Sequence, residues 1–182
     1  IQCDANNMIY KGILPAFILL IFLSACHSDL EIASQGKSDY QLVIPSKANR
    51  SELKAASYLQ RYVEKINGAI IPIVRDREAS IGKEISIGVT NRLSTELLSL
   101  IPELSEDGFS IQTENANIFF LGGGQKGVIY GVSSFLEKFL AVNILTSEVE
   151  VWEPRKRIKI PTDLNWTVIP PIHFRSTHYR DT

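Results

Sequence analysis

Two stretches of this chain repeat apolar side chains at helical spacing, with short apolar runs set between and after them. In the first stretch Leu53, Ala56, Leu59, Tyr62, Val63 and Ile66 recur every three or four residues, the stripe of a helix with one buried face. Asn49 or Ser51 can cap its start, Glu52 completes a capping box with Asn49, and Asn67-Gly68 ends it. In the second stretch the stripe is Val128, Ile129, Val132, Phe135, Leu136 and Phe139. Residues 41–45, 69–74 and 84–89 read as strands, and Pro72 marks an edge or a bulge. The first strand, the first helix and the second strand make one βαβ unit. Residues 91–101 predict a short helix stopped by Pro102. Residues 108–113 and 117–121 alternate around the polar pair Glu114-Asn115, a hairpin pattern. Residues 149–152 and 157–160 predict a closing hairpin around 153–156. The fold class expected is α/β (α+β): a mixed β-sheet with two long helices packed mainly on one face, over residues 39–162.

The start of the chain carries a different pattern. Residues 13–25 (ILPAFILLIFLSA) are apolar, preceded by Lys11. The run is too short to span a bilayer comfortably and fits the apolar region of a secretory signal. Leu23-Ser24-Ala25-Cys26 follows and resembles the lipobox of bacterial lipoproteins. That resemblance implies a signal peptide over 1–25, read from Met8 with 1–7 lying upstream of the true start. It makes Cys26 the lipid attachment residue and the destination an exported, lipid-anchored position on a bacterial membrane. Two or three acyl chains hold a protein stably where one is marginal. Residues 26–38 then read as a lipidated polar tether.

Composition narrows the chemistry. The chain has 182 residues, 45% of them apolar and 21% charged, a balance that supports a packed core. Nineteen Lys plus Arg against twenty Asp plus Glu leave a formal charge of −1, so no basic field is available for nucleic acid. Two cysteines and three histidines build neither a disulfide framework nor a metal cluster. His173 and His178 fall on opposite faces of a strand. No cofactor and no metal is expected.

Gly122-Gly123-Gly124-Gln125-Lys126-Gly127 satisfies G-x-G-x-x-G between a strand and a helix, and Glu148 stands near the place of a ribose-binding acid. Against a dinucleotide site, the preceding strand is the second arm of a hairpin and not the first strand of a parallel unit. The competing reading is a tight turn whose glycines permit positive φ and close packing.

Residues 117–145 carry a family resemblance. A strand enters glycines, then a G-x-x-Y-G-V-x-x-F-L-E helix formed by Gly127, Tyr130, Gly131, Val132, Phe135, Leu136 and Glu137. The segment is similar to the N-terminal domain of family 67 α-glucuronidases and to the non-catalytic domain before the barrel in family 20 β-hexosaminidases. Upstream, IPSKAN, the helix with A-A-x-x-L-Q-x-Y and G-A-x-I-P-I agree in order. Ala141 and Ile144 depart from the usual Gly and aromatic. The resemblance implies a non-catalytic accessory domain. It would support a catalytic (β/α)8 barrel as its partner, have poly- or oligosaccharide as a second partner, and reach the membrane through the lipid. Residues 163–182 become a linker and the start of that barrel.

Glycoside cleavage needs paired carboxyl groups at a set separation. The acids here, among them Glu52, Glu64, Glu78, Glu84, Glu96, Glu103, Glu106 and Asp107, fall on expected wet faces and loops. No catalytic residue is therefore assigned. Pro171, Phe174 and Arg175 resemble the P-x-F-x-x-R that opens the barrel, one residue short in spacing. The resemblance makes Arg175 a substrate-binding candidate and Arg180 a second. The alternative function is a free-standing surface lipoprotein that binds glycans, with Trp152 and Trp166 either stacking on sugar rings or belonging to the core or an interface.

Overall fold

A computed structural model describes residues 29–145 and 149–171. In chain order the elements are β1 (Asp29–Ser34), β2 (Gln41–Ile44), α1 (Arg50–Asn67), β3 (Ile73–Arg75), β4 (Glu84–Ile87) and α2 (Thr95–Leu100), continued by a 3-10 turn at Ile101–Glu103. Then follow β5 (Phe109–Glu114), β6 (Asn117–Gly122), α3 (Gly127–Leu140), β7 (Asn143–Ile144), β8 (Glu150–Val151), β9 (Arg157–Pro161) and β10 (Asn165–Val168).

The main sheet has the order β10-β5-β6-β4-β2-β3. Strands β3, β2, β4 and β6 are mutually parallel, and β5 and β10 add antiparallel pairings. It is the mixed sheet expected. Pro72 stands just before β3, which is an edge strand, where a residue without an N–H removes no ladder bond.

Alternation along the strands divides the side chains between two faces. Leu42, Ile44, Ile85, Ile87, Phe109, Ile111, Ile118 and Phe120 point to one face and meet α1 and α3 in a single core cluster. Leu59, Tyr62 and Val63 of α1 and Val132, Phe135 and Leu136 of α3 are almost fully buried there. Burying each large side chain is worth about 1.5–3 kcal/mol. Phe119 and Leu121 point the other way and form a smaller cluster with Leu97 and Leu104, so short α2 covers part of the second face.

Helix α1 begins where the capping box predicted. The Glu52 N–H donates to Asn49 Oδ1 at 2.9 Å, and the Asn49 N–H donates to Glu52 Oε2 at 2.7 Å. It ends on Gly68 at φ 85°, a left-handed cap that glycine takes without strain. Leu53, counted in the apolar stripe, is instead exposed, while Glu52 is buried. The capping geometry overrides hydrophobicity at that turn.

Three expectations are corrected. Within the segment read as a tether, 29–34 is a strand with Ile32 and Ala33 buried in the core. The closing hairpin does not form: β9 pairs antiparallel with β1, and β8 pairs with β7. A hairpin uses the strand nearest in sequence, whereas here the alternating Ile158 and Ile160 find their buried partners at the other end of the domain. Within the expected linker, 165–168 forms β10 at the edge of the main sheet beside β5. The signal segment, Cys26 and residues 172–182 lie outside the described residues.

Candidate functional surface

Two places in this fold are built like ligand sites, and both are filled by the protein itself. The first is the glycine turn between β6 and α3. A Cβ on Gly123 would collide with the carbonyls of Leu104 and Ser105, one on Gly124 with Glu106, and one on Gly127 with the Gly108 carbonyl. The Gly123 N–H donates to that same Gly108 carbonyl at 3.0 Å. The loop at 104–108 thus occupies the volume a pyrophosphate would need, and it brings Glu106 with it. None of these glycines has positive φ. They are required for close approach, not for backbone conformation, which corrects half of the tight-turn reading. Glu148 lies outside the described residues.

The second place is the carboxyl end of the parallel strands, between β2 and β4. Strand order reverses there, and open α/β sheets bind ligands at such points. The N-terminus of α1 faces this crevice with its own acid. The Glu52 carboxylate accepts backbone N–H groups from Asn49 and Val89, as a bound anion would. Burial pushes its carboxyl above the ordinary range, and those two hydrogen bonds only partly offset the push. Beside it Asp76 accepts from the Ser46 hydroxyl, from the Ser46 N–H at 2.9 Å and from the Asn91 N–H at 3.2 Å. The Ser46 hydroxyl leads the causes that hold Asp76 below its ordinary value. These bonds lash together the loops after β2, β3 and β4.

Of the remaining described acids, Glu84 is tied to a cation. Glu84 is buried on the second sheet face, and Glu52 is buried at the start of α1, both contrary to the wet positions expected. Arg92 Nε donates to Glu84 Oε2 at 2.9 Å, and Gln41 Nε2 donates to Glu84 Oε1 at 2.7 Å. Arg92 also donates to the carbonyls of Asp76 and Glu78, so it fastens the 76–83 loop to the sheet. Among the described residues no group of His, Cys, Asp and Glu has a metal-binding arrangement. Nor is any helix of those residues long and apolar enough to cross a membrane.

Both tryptophans are half-buried and packed against the core. Trp166 packs edge-on against Phe109 and Phe139, and Lys138 Nζ stands 4.0 Å above its ring. Trp152 packs against the main core cluster. The open surface is instead the β7–β8 ribbon. Ile144, Leu145, Val149 and Val151 are exposed together, beside a depression of about 340 Å³ that Ser133, Leu136 and Glu137 of α3 also line. Glu150 holds the ribbon to α1 by accepting from Arg61 at 2.9 Å and from Lys65. Other apolar side chains, among them Ile70, Ile81 and Val89, are exposed elsewhere on the described surface.

Cys26, Arg175 and Arg180, assigned from the sequence, lie outside the described residues. Arg92 and Arg155 emerge only from the structure. No local motif marks either, because their partners are remote: Arg155 donates to the carbonyls of Ile66 in α1 and Phe139 in α3, and Arg92 to Glu84 and to the Asp76 and Glu78 carbonyls. Glu52 had a signal in the capping box.

No protein-family profile matches the chain, and no curated protein does. Solved structures do. The chain superposes on a family GH20 β-N-acetylhexosaminidase from Streptomyces coelicolor A3(2) with a TM-score of 0.51 and 10% identity, over 79% of this chain and 24% of that one. A Streptomyces plicatus N-acetyl-β-hexosaminidase gives 0.48 at 12% identity, again over 79% and 24%. A family GH115 4-O-methyl-α-glucuronidase gives 0.46 at 13%, over 75% and 18%. This chain has the fold of a part of a glycoside hydrolase. It spans about a quarter of the hexosaminidase chains it matches.

Proposed function

We propose that this chain is the non-catalytic accessory domain of an exported, lipid-anchored carbohydrate-active enzyme, a glycoside hydrolase of the hexosaminidase or α-glucuronidase kind. The observation that carries the reading is that its two ligand-type positions are filled from within, by Glu52 and by the 104–108 loop. A domain so closed is a support. Its exposed β7–β8 ribbon provides an apolar surface for a catalytic barrel. The fold shared with part of a family GH20 hexosaminidase agrees with this, and the family 67 likeness in the glycine-turn helix belongs to the same proposal. Cys26 carries the lipid, and Arg175 and Arg180 contact sugar from the start of the barrel.

The test is calorimetric titration of the chain with uronic-acid and N-acetylhexosamine oligosaccharides, alongside an assay for their hydrolysis. No heat and no cleavage are expected. Cleavage by these 182 residues overturns the support role. Binding without cleavage restores the free-standing glycan-binding reading, which the covered face of Trp166 disfavours.

A further inference from the structure

Strand β1 begins and strand β10 ends at opposite edges of the fold. Strand β1 begins at Asp29, in register with Pro161. Just after Pro161, the Thr162 and Leu164 carbonyls accept from Thr113 Oγ1 at 2.7 Å and from the Thr113 N–H at 2.9 Å. Thr113 lies opposite Ile118, next to the start of β6. The start of β4 is fixed beside it, because the Glu84 N–H donates to Asn117 Oδ1 at 2.8 Å. Asp29 therefore sits at the amino edge of the parallel strands. Strand β10 then runs away from that edge. Its last residue, Val168, lies opposite Phe109, which lies opposite Gly122 at the carboxyl end of β6. From Thr113 to Phe109 the chain rises about 13 Å.

Cys26 precedes Asp29 by three residues, which span at most about 11 Å even when fully extended. Strand β1 cannot lengthen this link cheaply, because peeling it away would expose Ile32 and Ala33. We propose that the amino edge of the sheet, carrying Asp29, Pro161 and the Asn115–Ala116 turn, rests against the bilayer surface, and that the chain after Val168 leaves from the edge facing away from it. The domain is then a spacer of fixed height, not a globule on a loose tether. The proposal rests on the reading of Cys26 as the lipid attachment site. Charge does not drive the contact. On the β1–β9 ribbon Lys159 stands 3.7 Å from Asp29 and Arg157 3.3 Å from Glu31, so the signs balance and anionic lipid gains little.

The chain has two cysteines, Cys3 and Cys26. Signal cleavage removes the first and acylation blocks the second. A Lys159→Cys or Gln125→Cys substitution in the full chain then supplies a single free thiol, at the amino edge or at the exposed turn before α3 at the other. The processed proteins are labelled with a fluorophore and placed in phosphatidylcholine vesicles containing headgroup-nitroxide lipid, after mass analysis of the Cys26 peptide. Quenching several-fold stronger at position 159 than at 125, unchanged by salt, is expected. Equal or reversed quenching in acylated protein overturns the orientation alone. An unmodified Cys26 overturns the lipid reading and this proposal with it.

Discussion

Gly88 has no side chain at the point where the Glu52 carboxylate lies. An added Cβ would overlap Glu52 Oε1, Cδ and Cγ, all closer than 3.0 Å, and Gly88 itself has φ +82°. The close approach lets an acid from the first turn of α1 seat itself at the carboxyl end of β4. Two sequence features far apart, a capping box and a lone glycine after a strand, together close the crevice where this fold would take a ligand.

Gly88→Ala is expected to destabilise the domain by about 2–4 kcal/mol, combining backbone strain with displacement of a buried carboxylate. Urea unfolding checks this through a lower midpoint at unchanged slope. A variant as stable as the parent would show that Glu52 is free to leave its seat.

The stability of the domain should vary with pH through Glu52. Its folded pKa is raised above the ordinary 4.5, chiefly by burial. Its contribution is therefore fully present below 4.5 and is lost as pH rises through the raised folded value. Glu52→Gln keeps an acceptor for the Asn49 N–H and removes the ionisation. Unfolding free energies measured across this range should fall less with rising pH in the variant.

Asp76 should act with the opposite sign. Hydrogen bonds, first from the Ser46 hydroxyl, hold it below the ordinary 3.8. Its contribution is present above 3.8 and is lost as pH falls through the lowered folded value. Acid unfolding of Asp76→Asn should lack that component, and its stability near neutrality should be reduced. The two windows lie on either side of 4, so one titration of each variant separates them.

Arg92→Ala leaves the Glu84 carboxylate buried without its charge partner; the Glu84 side chain is only 5% exposed. Removing one member of such a pair costs about 3–5 kcal/mol. Adding Glu84→Gln should recover part of the loss, because a neutral amide tolerates burial better. A double-mutant cycle measures the coupling, and additive losses would show that the pair is not coupled.

Gly123→Ala should lower the melting temperature by forcing the 104–108 loop away from α3. NAD at millimolar concentration should leave the melting temperature of the parent unchanged. An upward shift would mean that the loop yields to a nucleotide and that the turn is a site after all.

Arg155 shows why parts of this molecule escape a reading of its residues in order. Its backbone N–H donates to the Ile66 carbonyl at 2.8 Å, and its Nη1 donates to the Phe139 carbonyl at 2.8 Å. One residue thus serves the carboxyl ends of both long helices, where a cation is favoured. Nothing near position 155 foretells this.

What the chain determines locally is legible in it. The capping box at Asn49 and Glu52, the glycine at the end of α1, the two amphipathic stripes and the alternation of β5 and β6 each depend on neighbours within a few residues. Helix periodicity, turn geometry and capping are short-range effects, so composition and spacing suffice to place those elements and the mixed sheet they imply. Only tertiary structure decided the pairing of β1 with β9, the place of β10 at the sheet edge, the burial of Glu84 and the filling of the glycine turn by the 104–108 loop. Each joins residues remote in sequence. Which remote partners meet is set by how apolar faces close over one core, and the period of a single strand carries no record of its partner.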